Sequence, residues 1–222
     1  MKQPTDQAGF GLDLPLTAQG RVDGRSARKV ETRRRIITAA SELFAEQGYT
    51  GTSMDQIAEA AGVSKGTIFY NYKNKSELFE QLIRAAALTI AEEMERARAG
   101  LRGWEALNAA TWAVVKAVSV APAPAQIVVT ELFRTQRTWA ASLDESRRIL
   151  MRPMVEIFGE LAEDRHAVTG TTLLPSDQLP NVAMSVLGAL VVATLDRLAF
   201  SPERPLEAVH QVLMQAISGV RV

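Results

Sequence analysis

The chain has no cysteine among its 222 residues. A disulfide framework, a thiolate metal site and a cysteine nucleophile are therefore excluded, which fits a reducing compartment. Histidine is nearly absent too: His166 and His210 sit in different predicted helices or at their ends, outside any metal-ligand spacing such as HExxH. No glycine-rich phosphate loop follows a strand. Catalysis has no visible set of groups to run on, and neither a cofactor nor a metal is expected. Net charge is also missing, since 25 Lys and Arg balance 25 Asp and Glu. The longest nearly apolar run, Val182–Leu195, holds 14 residues and stops at Asp196-Arg197. Spanning a bilayer takes about 20. The opening stretch MKQPTDQAGFGLDLPLTAQG lacks the apolar core of a signal peptide. The expectation is a soluble cytoplasmic protein with no membrane partner.

What is present is 47% apolar residues, enough for a sizeable core in one large domain or two small ones. The charge is unevenly placed. Residues 21–75 hold ten Lys and Arg against six Asp and Glu, whereas residues 81–222 hold 14 against 15. A basic head on a near-neutral body is the pattern of a module that meets phosphate at one end. Residues 1–28, rich in Gly, Pro, Gln, Asp and Thr, show no apolar period and read as a disordered arm. Its Arg21, Arg25, Arg28 and Lys29 either reach along DNA or are simply solvated.

From Glu31 the pattern is helical: Ile36, Ala40, Leu43 and Phe44 share a face, and Gly48 suits a left-handed cap. Arg33, Arg34 and Arg35 occupy the first turns, against the helix dipole, and either face phosphate or form a solvated face near Glu31. Ser53-x-x-Gln56 is a capping box that opens a second helix with Met54, Ile57 and Ala58 inward. Gly62 ends it. Ser64 caps a third helix to about Tyr70, and Asn74-x-x-Glu77 starts a fourth to about Arg98. Further segments follow at roughly 103–120, 124–138, 142–165, 177–200 and 205–219, with Pro153 expected to kink or divide the third of these. The fold class is all-α with about nine helices.

The stretch TSMDQIAEAAGVSKGTIFYNYKNKSEL, residues 52–78, carries the chemistry. Two short helices around Gly62-Val63 make a helix-turn-helix, spanning about 53–72. Ala58 and Ala61 are small enough for a close crossing, and Val63 and Ile68 anchor the second helix. Its outward face would present Lys65, Gly66, Thr67, Tyr70 and Asn71. Gly66 lets the backbone approach a partner. Lys65 can donate to a guanine edge or a phosphate. Thr67 can touch a phosphate or a thymine methyl. Tyr70, Asn71 and Lys75 can grip the backbone, and Thr52 and Ser53 offer hydroxyls and amides at a helix N-terminus. A helical hairpin that merely packs would need none of this in combination. The reading is double-stranded DNA.

RRIITAASELFAEQGYTGTSMDQIAEAAGVSKGTIFYNYKNKSELF, residues 34–79, resembles the N-terminal domain of TetR-family transcriptional regulators. The most specific part runs from Ile57-Ala58 through Gly62-Val63-Ser64-Lys65-Gly66-Thr67-Ile68 to Lys75 and Leu78. The resemblance implies a DNA-binding domain over residues 30–90, with its third helix in the major groove. It implies contacts at Thr52 or Ser53, Lys65, Gly66, Thr67, Phe69, Tyr70, Asn71 and Lys75. The usual tyrosine is here Phe69, which lacks a hydroxyl, and the usual second aromatic is Asn71; Tyr70 can supply the missing hydroxyl.

The resemblance also implies a C-terminal helical domain, residues 91–222, for dimerisation and effector binding. One short helix reads too little DNA alone, and a two-fold dimer reads two half-sites. Segment 177–200 is apolar nearly all round and so needs cover on every side. Leu187, Leu190, Val191, Val209 and Leu213 are expected at the interface, with an intrachain core helix as the other reading. A pocket for an unidentified, largely apolar effector is implied among Trp104, Trp112, Phe133, Met154 and Phe158. The expected function is a ligand-responsive homodimeric repressor released from a palindromic operator. An activator or a ligand-independent architectural protein of the same fold, and remotely an enzyme, are the alternatives.

Overall fold

A computed structural model describes residues 24–132, 140–170 and 175–218. Among these residues all regular structure is helical. The nine helices are α1 (Gly24–Gly51), α2 (Met54–Ala60), α3 (Lys65–Asn71), α4 (Lys75–Arg98), α5 (Gly103–Val120), α6 (Pro122–Leu132), α7 (Ala140–Thr169), α8 (Leu179–Phe200) and α9 (Leu206–Ser218). A single 3-10 turn at Ser176–Gln178 leads into α8. The expected arm lies outside the described residues up to 23, and α1 takes in its last part from Gly24.

Two apolar cores organise the chain. The head core gathers Ile36, Ile37, Ala40 and Phe44 of α1, Ile57 and Ala58 of α2, Ile68 and Tyr72 at α3, and Leu78, Phe79 and Leu82 of α4. Ile127 of α6 is buried in this same cluster. The body core is built from Met94 of α4, Leu107, Val114 and Val115 of α5, Met154, Ile157 and Phe158 of α7, and Leu187 and Leu190 of α8. Helix α4 therefore belongs to both cores.

Gly48 breaks α1 at φ 72°, a left-handed conformation that favours glycine. The chain behind it turns Tyr49 into the head, where its ring stands edge-on to Phe79 at 5.1 Å. At the far end, Arg98 of α4 pairs with Glu95 and reaches α7 at Glu156 and Glu160, while Arg84 of α4 meets Glu145. These ties run α4 and α7 side by side in the same direction. Pro153 lies within α7 and does not divide it. The burial of Met151, Pro153, Met154, Ile157 and Phe158 around it offsets the lost backbone bond.

Helix α8 carries two apolar stripes. Ala183, Leu187, Leu190 and Thr194 face inward at alternating four- and three-residue spacing. Ser185, Ala189 and Val192 form a second stripe that the chain leaves exposed, with Val192 at 55%. Val212 of α9 is exposed as well, at 65%. Leu187, Leu190 and Val209, expected at a subunit interface, are instead buried in the chain's own core. Val191 and Leu213 are half-buried at its margin. The continuous helical stretch Ser176–Phe200 is long and apolar enough to meet the length and composition of a membrane span, though the apolar run inside it is not. Its inner stripe packs into the body core beside α5, α7 and α9.

Candidate nucleic-acid interface

The turn between α2 and α3 is held by a sequence of local bonds. Ser53 and Gln56 form the reciprocal capping box, with the Gln56 amide donating to Ser53 Oγ and the Ser53 amide donating to Gln56 Oε1. At the other end Gly62 N–H donates to Glu59 O and Val63 N–H donates to Ala58 O, both at 2.9 Å. With Gly62 at φ 62°, this is the Schellman ending that a left-handed glycine permits. Arg35, reaching across from α1, donates Nη2 to the carbonyls of Ala61 and Gly62, the latter at 2.8 Å. A Cβ on Gly62 would stand 2.7 Å from that same nitrogen, so the glycine also makes room for the clamp.

Helix α3 is anchored by Ile68 and Tyr72. Tyr72, which sequence reasoning did not single out, is buried with the Arg33 guanidinium 5.5 Å from its ring centroid. Burial pushes its phenol above the usual tyrosine range. Its position four residues after Ile68 is the signal that would have found it. The opposite face carries Lys65, Gly66, Phe69 and Tyr70, with Lys73 just beyond the helix end, all exposed. Phe69 is 42% and Tyr70 80% exposed. Lys65 Nζ lies 2.9 Å from Asp55 Oδ2 with both side chains well solvated. Such a pair is worth about 0–1 kcal/mol, so Lys65 is free to change partner. A Cβ at Gly66 would meet just Ser64 Oγ, at 3.8 Å. Among the described residues nothing requires glycine there.

Several expected contact groups are turned inward. Thr52 is buried, and its hydroxyl donates to Gly48 O at 2.9 Å and reaches Leu43 O at 3.2 Å. Lys75 Nζ donates to Tyr49 O at 2.7 Å and Thr52 O at 2.6 Å, and sits 4.5 Å from the Tyr49 ring centroid. Burial lowers its pKa from the ordinary lysine value. Lys75 thus closes the α1–α2 corner onto the start of α4, using two of its three N–H groups. Asn71 Nδ2 donates back to Thr67 O at 2.9 Å, and the Thr67 hydroxyl is 2.8 Å from Ser64 Oγ. Ser53 remains exposed at the start of α2. Of the basic first turns of α1, Arg33 lies on Tyr72, Arg34 pairs with Glu31 and Arg35 clamps the turn.

The geometry is that of a rigid helix-turn-helix presenting one face of α3. Residues 36–82 match the family model described as bacterial regulatory proteins, tetR family. The transcriptional regulator AcrR of Shigella flexneri is 42% identical over 62 residues, covering 28% of this chain and 29% of that protein. The head of the chain, residues 36–82, is a TetR-type domain. The chain's likeness to relatives of known sequence is concentrated in the TetR-type head: the chain spans between 25% and 61% of the length of the curated relatives it matches first. The whole fold is shared more widely. The fatty acid degradation regulator FadR of Bacillus halodurans superposes with TM-score 0.69 at 20% identity, covering 82% of this chain and 94% of that one. FadR of Bacillus subtilis in complex with stearoyl-CoA gives TM-score 0.67 at 20% identity, covering 82% and 95%.

Behind the TetR head, α4, α5 and α6 enclose a small apolar crevice lined by Ala86, Thr89, Ile90, Val118, Pro124 and Ala125, among others. The residues expected to line an effector pocket lie elsewhere. Met154 and Phe158 are packed in the body core, and Trp104 and Trp112 rest against it half-buried. Phe133 lies outside the described residues. His210 is buried, its Nε2 2.9 Å from the Thr111 hydroxyl, and burial lowers its pKa.

Proposed function

We propose that this protein is a sequence-specific, DNA-binding transcriptional regulator that acts in the cytoplasm as a homodimer. The observation that carries the reading is the outward face of α3, with two uncovered aromatic rings, a releasable lysine and an unhindered glycine on a turn clamped from α1. Aromatic surface left facing water gains no burial energy until a partner covers it. A major groove admits an α-helix, and two copies related by a two-fold axis would read an inverted repeat.

The uncovered stripe of α8 and α9 supports the dimer. Gly188 lies beside that stripe with nothing among the described residues within 4 Å of a Cβ built on it, so its small size serves no packing among them. Two copies of α8 and α9 would form a four-helix interface through Ser185, Gly188, Ala189, Val192 and Val212.

The apolar lining of the crevice supports a largely apolar effector, and the neighbour that holds stearoyl-CoA in the same fold agrees with that chemistry. The crevice is coupled to the head twice. Helix α4 runs from its wall into the head, and α6 passes from Pro124 and Ala125 in the wall to Ile127 in the head core. A ligand that wedges the crevice would displace both. It shifts DNA affinity only by binding the two arrangements unequally, with couplings of about 1–3 kcal/mol. The resulting reading is a repressor released from its operator by the ligand. The filled body core around Met154 and Phe158 favours, as second reading, a DNA-bound protein that answers to no ligand. The test is selection of duplexes from a random pool by the full chain, followed by a screen of apolar compounds for release. Enrichment of an inverted repeat and release by a compound are expected; a pool that stays random would overturn the DNA reading, and release by none would leave the second.

A further inference from the structure

Resting on the DNA reading above, we propose that the half-site is recognised chiefly through thymine methyl groups, by the rings of Phe69 and Tyr70, with hydrogen-bond readout of base edges confined to Lys65 and the Tyr70 hydroxyl. Helix α3, KGTIFYN, contains no Arg, Gln, Asp or Glu. Those are, with Asn and Lys, the side chains that hydrogen-bond guanine, adenine or cytosine edges in the major groove. Its one Asn folds back onto Thr67 O, and the Thr67 hydroxyl is engaged with Ser64. What remains outward in the last turn of the helix is aromatic: Phe69 at 42% and Tyr70 at 80% exposure, with Gly66 about one turn before them and Lys73 about one turn after.

Phe69 can form no bond to a phosphate oxygen, so its exposed edge contributes to binding where it meets another apolar group. In the major groove the apolar group is the C5 methyl of thymine. Gly66, one turn before Tyr70 and carrying no side chain, lets α3 settle deep enough for the rings to reach it. The lone cation, Lys65, sits at the helix start, where it meets either a guanine edge or the flanking phosphate.

The test uses duplexes selected by the full chain, with each thymine replaced in turn by uracil, which removes the methyl and keeps the base pair. Loss of one contacted methyl weakens binding about fourfold, and about fifteenfold when both half-sites are changed. Tyr70→Ala or Phe69→Ala, each of which removes the apolar ring, is expected to bind more weakly and to become insensitive to uracil at its own position. Tyr70 is solvated enough for the first variant to fold as the parent does, and the uracil series itself needs no variant. Uracil duplexes that all bind like the parent overturn the inference and leave the DNA reading standing. So do losses at thymines that neither variant abolishes. If no duplex is enriched, the DNA reading falls, and this one with it.

Discussion

Gly66→Ala separates what α3 does for the fold from what it does for a partner. Gly66 lies in the first turn of α3 without a positive φ, and a Cβ there meets a single hydroxyl oxygen at an ordinary 3.8 Å. Alanine at such a compatible position stabilises by about 0.4–1 kcal/mol, largely by restricting the unfolded chain. For a domain of this size that raises the melting temperature by about 1–4 °C. The same methyl group projects from the face that meets the groove. Overfilling a packed contact costs about 1–3 kcal/mol, which is about a 5- to 150-fold loss of affinity for each subunit engaged. Thermal unfolding by circular dichroism and fluorescence anisotropy on a selected duplex read the two effects separately. A variant that melts higher and binds DNA as before would refute the close approach of this backbone. One that melts lower would show that glycine is required by packing the structure does not contain.

Lys75→Met removes the ammonium from Tyr49 O and Thr52 O while keeping the length of the side chain. It should lower unfolding stability by about 1–3 kcal/mol in urea titrations and leave the salt dependence of DNA binding unchanged; undiminished stability with a flatter salt slope would place the ammonium on phosphate. His210 has its pKa lowered in the folded state by burial, so the unfolded chain binds more protons below the ordinary histidine pKa of about 6.5. Stability should therefore be full above that pH and fall as pH drops toward the folded value, and His210→Gln should flatten that part of the pH profile; a parallel slope in the variant would assign it to other groups. Val192→Asp puts a carboxylate on the exposed stripe of α8 without touching the core. Unpaired charge buried across the two-fold axis should weaken self-association by about a hundredfold or more in sedimentation equilibrium, and an undiminished dimer would move the interface elsewhere.

The parts of the molecule readable from sequence are those fixed by short-range chemistry. The caps at Ser53, Ser64 and Asn74 each satisfy amides three residues on, so their side chains announce the helix starts wherever the chain later packs. Gly48, Gly62 and Gly100 all adopt positive φ at breaks that the pattern marks. Contacts made across the fold were not readable. Lys75 and Thr52 have the residue types of phosphate binders, yet the Gly48 break delivers carbonyls 23 to 26 residues from Lys75 to its ammonium. Arg35 looks like a free cation until α2 ends against it, 26 residues away. In α8 the difficulty is different. A helix apolar all round gives no periodic signal to say which stripe faces inward, so Leu187 and Leu190 could not be told from Ala189 and Val192. Pro153 shows the reverse case, in which a strong local preference gives way to dense burial on either side.

The central claim is that the outward face of α3 lies in a major groove, twice per assembly. A photoreactive aromatic residue introduced at position 70, cross-linked to a selected duplex and mapped base by base, tests it most directly. The account predicts adducts on major-groove edges at two symmetry-related positions, about one or a few helical turns (each about 34–36 Å) apart. Adducts scattered along the strands, or none at all while the protein remains bound, would contradict it.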